Sequence, residues 1–172
     1  MISNPSTGEQ MSEPINIQEI SAAQTRPVRQ QVLRPHQAAS ELVYPGDDAP
    51  DSFHLGAMQD DQVLAILSMY ASPKPECTDH AWRIRGMAST PAIRGTGYGR
   101  VLVEVARDKA WAIERAPIWC NARESAFGFY LKLGFVIQGG IFEIEGIGPH
   151  AVMVLNPVEQ RAFSSYGARL SC

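Results

Sequence analysis

The densest chemistry in this 172-residue chain lies in the hexapeptide Arg94-Gly95-Thr96-Gly97-Tyr98-Gly99. Its three glycines accept backbone angles that a Cβ forbids, so successive amides can converge on one anion. Arg94 and Arg100 flank the hexapeptide, and both can donate charge-assisted hydrogen bonds to phosphate oxygens. The residues that follow pattern as a helix, whose first amides and dipole favour negative charge. A plain βα turn would use the same glycines; the strand before, the helix after and the two arginines favour an anion cradle. No Lys-Ser/Thr pair follows the last glycine, which excludes a P-loop. The Gly-x-Gly-x-Gly spacing, behind several strands, also departs from the Gly-x-Gly-x-x-Gly turn of dinucleotide-binding folds.

Other reactive residue types are scattered. Tyr130 shares helical spacing with Phe127, Leu131 and Gly134, and by spacing alone it reads as a packing aromatic. Asn121 reads as a polar residue at a strand end. Cys120 lies on the apolar run Ile118-Trp119-Cys120 with no histidine near it in sequence, so it reads as a buried structural thiol rather than a nucleophile. Glu76, His80, Glu143, Glu145 and His150 are candidate bases by type. His150, after Gly148-Pro149 at the mouth of a strand, is the most suggestive, although a histidine beside a turn is commonly structural. Asp47, Asp48 and Asp51 make an acidic loop that reads as solvated, and that could draw in a cationic amine. No spacing among the three cysteines and four histidines matches a zinc site, so no metal is expected.

Elements that could position these groups are legible in turn. Residues 15–20 alternate apolar and polar, as in a half-buried strand. A helix capped by Thr25, with Pro27 in its first turn, carries Val28, Val32 and Leu33 inward and ends before Pro35. A Pro-, Gly- and acid-rich loop follows to Ser52. Residues 53–58 and 63–70 form a hairpin around Gln59-Asp60-Asp61-Gln62. In the next strand Trp82 and Ile84 alternate with Arg83 and Arg85, and the alternation slips at Gly86-Met87-Ala88, the mark of a bulge. A helix over residues 99–113 places Leu102, Val105, Ala106 and Ile113 on one face. A strand at 118–121, a helix at 124–133 ended by Gly134, and strands at 135–144 and 151–155 complete the order. Helices alternating with strands imply a single α/β (α+β) domain, with a mixed sheet and helices on both faces. Its expected bounds are residues 15–157, after a disordered lead-in over 1–14 with Met11 as an alternative start, and before a weakly patterned tail over 158–172.

Arg94-x-x-Gly97-x-Gly99, set after a strand ending Arg85-Gly86-Met87-Ala88, resembles the acyl-CoA-binding motif of the GNAT N-acetyltransferases. The stretch from Asn121 through Tyr130 to Phe135 is similar to that family's second hallmark. The resemblance implies a largely antiparallel sheet splayed in the middle, with acetyl-CoA between the strands ending near Ala88 and Asn121. It implies cofactor contacts at Met87, Ala88, Arg94, Gly95, Thr96, Gly97, Tyr98, Gly99, Arg100, Asn121 and Lys132, with Phe129 bordering them. It gives Tyr130 the role of acid towards the departing CoA thiolate. The acceptor, a primary amine of a small molecule or peptide, would be shaped by residues 28–50 and 141–150. A non-catalytic acyl-CoA-binding domain is the alternative reading.

A formal charge of −3 argues against a nucleic-acid partner while leaving room for a local basic pocket. The polar start lacks a signal-peptide pattern, and no apolar run approaches the roughly 20 residues that span a bilayer. With sparse, odd cysteines this points to a cytoplasmic protein away from membranes. Exposed strand edges allow a homodimer.

Overall fold

The computed structural model describes residues 13–158. The expected lead-in and tail, with Met11 and Cys172, lie outside the described residues apart from residues 13, 14 and 158. The strands are β1 (Asn16–Ile20), β2 (Phe53–Gln59), β3 (Gln62–Ala71), β4 (Trp82–Ser89), β5 (Ile118–Arg123), β6 (Val136–Ile144) and β7 (Gly148–Leu155). The helices are α1 (Ala22–Val28), α2 (Tyr98–Ile113) and α3 (Phe127–Lys132). All seven strands join one sheet in the order β1-β2-β3-β4-β5-β7-β6. Every pairing is antiparallel except β4 with β5.

Both faces of the sheet are covered. Val28 of α1 packs with Ile20, Met58, Ile66 and Ala88 on one face. Leu102, Val103, Ala106 and Ala110 of α2 pack with Leu55, Leu67, Met69 and Ile84 on the other. Neighbouring residues such as Ile66 and Leu67 serve opposite faces, as the pleat requires.

Three local expectations need correction. Helix α1 is capped by Ser21, whose Oγ accepts the Gln24 amide at 3.3 Å while Gln24 Oε1 accepts the Ser21 amide at 2.8 Å. This reciprocal capping box outcompetes Thr25, which sits one turn inside the helix and donates its hydroxyl to the Ala22 carbonyl. In α2 the buried stripe runs through Val103 and Ala110, while Val105 and Ile113 are 37% and 65% exposed. Ala106 and Ala110, with their small side chains, form the stripe that lies against the sheet, and Val105 falls about 100° of helical rotation off it. Strand β7 begins at Gly148, so the β6–β7 hairpin turn is shorter than expected.

The feature that matters for function is the middle of the sheet. Ile66 pairs with Ala88 and Ser68 with Arg85, so Gly86 and Met87 together oppose Leu67. This is the expected bulge, and Gly86 supports it with φ of +65°. Strands β4 and β5 then pair only at Trp82–Ile118 and Arg83–Trp119. Beyond Arg83 they diverge, and the splay implied by the resemblance is present.

Candidate active site

A cavity of about 610 Å³ occupies the split between β4 and β5. It passes between the two faces of the sheet. Leu33 and Tyr44 line it from the α1 side, Met87 and Tyr130 from the α3 side, and Ile144, Ile147 and His150 close it from the β6–β7 hairpin. Both segments expected to shape an acceptor pocket therefore contribute to its walls.

The glycine turn caps α2 at one end of the split. Gly95 and Gly97 have φ of +80° and +94°, and a Cβ on either would meet no atom within 4 Å. Backbone angle, not crowding, demands glycine here, while the Arg94 and Thr96 amides are held inside the turn by the Thr90 and Ile93 carbonyls. Gly99 has a different reason. A Cβ there would sit 3.0 Å from Met87 Cε and 3.6 Å from the Phe129 ring, so this glycine lets α2 approach the bulge. Arg94 lines the cavity and donates from Nη2 to the Ser89 carbonyl at 3.2 Å. The Thr96 hydroxyl is spent on the Ile93 carbonyl, and Tyr98 packs against the core.

Arg100, Lys132 and Ala88 do not line this cavity. Arg100 pairs with Glu104 at 2.7 Å along the exposed side of α2, the i,i+4 spacing of a helix surface. Lys132 is exposed on α3 and does not line the cavity. Ala88 packs with Val28 on the α1 face.

Tyr130 is 6% exposed, wedged edge-on between Phe129 and Phe135 with ring centroids 5.1 Å away. Its hydroxyl reaches Met87 Sδ at 3.6 Å, a weak acceptor. Burial, and then the neighbouring Cys120 thiol, hold the phenol well above its usual pKa, so it keeps its proton at neutral pH. Cys120 is 2% exposed and burial pushes its thiol up to about 12, which bears out its reading as a structural cysteine. Asn121 lines the cavity with its Oδ1 buried and without a protein partner.

Of the five candidate bases, the structure brings only His150 to the cavity. It is 3% exposed and stacks loosely on the Phe142 ring, with centroids 6.2 Å apart and planes 29° apart. Its Nδ1 lies 2.7 Å from the Gly148 carbonyl, which can only accept, so Nδ1 carries a proton and Nε2 is the ring nitrogen left to face a substrate. His80 instead faces Glu114 at 3.5 Å, and Glu143 and Glu145 are exposed on the hairpin. Glu76 stands in the exposed turn before β4. Among the described residues no cluster of His, Cys, Asp and Glu could hold a metal ion, and no helix is long and apolar enough to cross a membrane.

The acidic loop is not uniformly solvated. Asp47 is 5% exposed and Arg29 is fully buried. Arg29 donates to both Asp47 carboxylate oxygens at 2.6 and 2.9 Å, and also to Leu42 O, Ser68 Oγ and Tyr70 Oη. A π-helical turn, Arg29–Leu33, continues α1 and carries Arg29 under the loop. Above it, Arg29 Cζ lies 4.0 Å from the Tyr44 ring centroid, fixing a cavity wall that sequence reasoning did not find. Arg83 and Arg85 were placed on a polar face without a role; both line the cavity. Charged residues on a central strand whose two faces are covered were the available signal.

Comparison with known proteins agrees with this geometry. Residues 17–135 match the family described as Acetyltransferase (GNAT) family. An uncharacterized N-acetyltransferase, YitI, from Bacillus subtilis (strain 168) is 37% identical over 140 residues, covering 81% of this chain and 94% of that protein. The crystal structure of Escherichia coli ElaA superposes with a TM-score of 0.68 at 18% identity, covering 82% of this chain and 99% of that one. An aminoglycoside 6'-N-acetyltransferase complexed with coenzyme A superposes with a TM-score of 0.65 at 15% identity, covering 81% and 96%. At such identities the two structures establish the shared fold alone.

Proposed function

The chain belongs to the GNAT acetyltransferase family of acyl-CoA-dependent transferases, and on that premise we propose that it moves an acetyl group from acetyl-CoA directly to a primary amine held in the split. The observation that carries this reading is the split itself, with a proton-bearing phenol on one side and, at its mouth, an imidazole whose Nδ1 is tied to a backbone carbonyl.

Acetyl-CoA supplies the activated acetyl group as a thioester. The leading amides of α2 and the Arg94 guanidinium hold its pyrophosphate, where helix dipole and charge act together. The unpaired backbone beside Gly86 and Met87 donates to the thioester carbonyl as negative charge develops there. Met87 and Asn121 flank the pantetheine arm. His150 Nε2 takes a proton from the acceptor ammonium, whose free pKa near 10.4 would otherwise leave it unreactive at neutral pH. The freed amine forms the new N–C bond as the C–S bond breaks. Tyr130 gives its proton to the departing thiolate and regains one from the proton released by the nitrogen. Cys120 takes no part, because a thiol at about 12 offers almost no thiolate for an acyl-enzyme.

Steady-state release of free thiol from acetyl-CoA over a panel of primary amines tests the reading; tight binding without release for any amine would leave only a non-catalytic acyl-CoA-binding domain. Arg94→Glu should weaken acetyl-CoA binding by about 10–100-fold, the worth of a charge-assisted hydrogen bond, and unchanged affinity would remove the turn as the pyrophosphate site. His150→Gln should lower kcat/KM by about 100-fold. A loss below threefold would assign the proton to another group.

A further inference from the structure

The cavity has a charge that the chain as a whole does not. Arg34, Arg83, Arg85, Arg94 and Arg123 line it, and no Asp or Glu of the described residues does, although the chain is formally −3. None of these arginines enters an ion pair with a described carboxylate. Asp47, the nearest buried acid on the α1 side, is consumed by Arg29. Asp51 shares a smaller adjoining cavity with Arg83 and Arg85, but it is exposed and outside ion-pair distance.

These charges fall in two places. Arg94 belongs to the glycine turn at the open end of the split. Arg83 and Arg85 lie at its closed end, before the bulge, and Arg83 occupies the last paired position with β5. From Arg85 to the end of β4 is four residues, about 13 Å of strand, so one small anion cannot serve both places. The faces differ as well. Trp82 and Ile84 pack towards α2, which puts Arg83 and Arg85 on the face of α1 and Tyr44.

Both guanidiniums are already oriented. Arg85 Cζ lies 4.3 Å from the Tyr44 ring centroid, and the buried Arg29 stacks on the same ring. Arg83 Cζ lies 4.6 Å from the Trp119 ring centroid, and its Nε is buried without a hydrogen-bond partner. Stacking holds the planar group by its face and leaves N–H edges for a carboxylate or phosphate. Burial, and then Arg85, press the Arg83 guanidinium below its usual pKa, a cost that a bound anion would relieve.

We propose that the acceptor is a small primary amine bearing a carboxylate or phosphate, held by Arg83 and Arg85 on the α1 side of the split. Arg85 immediately precedes the bulge, so the anion lies only a few bonds from the reacting nitrogen. The acidic loop then does not recruit a cationic amine, and polyamines are excluded by five uncompensated positive charges.

The inference rests on the acetyl-transfer reading, and thiol-release kinetics with matched acceptors separate the two. α-Amino acids would be compared with their carboxamides, phosphoethanolamine with ethanolamine, and spermidine would serve as the cationic amine. The anionic member of a pair is expected to show kcat/KM at least tenfold above its neutral twin, and whichever pair shows it distinguishes carboxylate from phosphate. Arg85→Gln and Arg83→Gln should each shrink that ratio severalfold, and Arg85→Lys should keep part of it. Calorimetric affinity for acetyl-CoA, which neither arginine touches, should hold in all three variants and reports that they are folded. Preference for neutral or cationic amines, an unchanged ratio in both Gln variants, or acetyl-CoA binding with no anionic amine acetylated would overturn the inference while leaving the donor site intact. Failure of acetyl-CoA to bind the wild type would instead remove the acetyl-transfer reading, and this inference with it.

Discussion

Tyr130→Phe is expected to lower kcat by about 100-fold or more, within the 10²–10⁴ range of a positioned proton donor, while acetyl-CoA affinity changes little. The substitution isolates one proton. The ring packs edge-on against Phe129 and Phe135, and phenylalanine preserves both contacts. The lost hydroxyl faces two weak sulfur partners, the Met87 thioether at 3.6 Å and the neighbouring Cys120 thiol, so little stability goes with it. A buried phenol bound so weakly has its proton available for a nearby thiolate, and its raised pKa keeps that proton across the neutral range. Single-turnover and steady-state thiol release on the variant check the role. A loss below threefold would assign the proton to water and return Tyr130 to packing.

Asp47→Ala should destabilise the protein by about 3–5 kcal/mol, the cost of leaving a buried partner charge uncompensated. In a chain of this size that corresponds to a melting temperature lower by roughly 6–20 °C. Asp47 accepts from both Arg29 Nη atoms, from the Tyr70 hydroxyl at 2.6 Å and from the Tyr44 amide at 2.9 Å. Burial alone would raise its pKa, but the Arg29 and Tyr70 hydrogen bonds lower it to about 2. Because the folded value lies below the unfolded one, the stability it contributes is present above about pH 4 and fades as pH falls towards about 2. Asp47→Asn should therefore flatten the acid slope of stability. Replacing Arg29 and Asp47 together by apolar residues should recover much of the loss, since a buried pair is costly to break and cheap to replace. Urea unfolding at pH 7 measures the effect, and a loss under 1 kcal/mol would mean that Arg29 finds another partner. Acceptor binding should weaken too, because Arg29 backs the Tyr44 ring on which Arg85 stacks.

The parts of this site that the sequence revealed are those whose physics is local. Gly95 and Gly97 mark a turn because their positive φ is a property of single residues. The slip at Gly86-Met87 marks a bulge because strand alternation is counted along one segment, and the resemblance then placed the split beside it. Ser21 was missed as a cap although Gln24 stood three residues on, since Thr25 before Pro27 made a competing signal. The Arg29–Asp47 pair was illegible: it joins residues 18 apart through a π-helical turn, and loop composition alone suggested solvent. Arg100 and Lys132 carried the right charge near the right motifs, but helical spacing points the first at Glu104 and leaves the second on the surface. Arg83 and Arg85 lay in plain view as a polar face. Their significance depends on what covers that face, and one strand's sequence does not say.

The central claim is that the turn at Arg94–Gly99 and the split beside it hold acetyl-CoA. Isothermal titration of acetyl-CoA into the wild-type protein tests it most directly. The account predicts one site per chain, saturable in the 1 μM–1 mM range in which enzymes commonly meet their substrates, and weakened by Arg94→Glu. An absence of binding at millimolar acetyl-CoA, by folded wild-type protein, would contradict it.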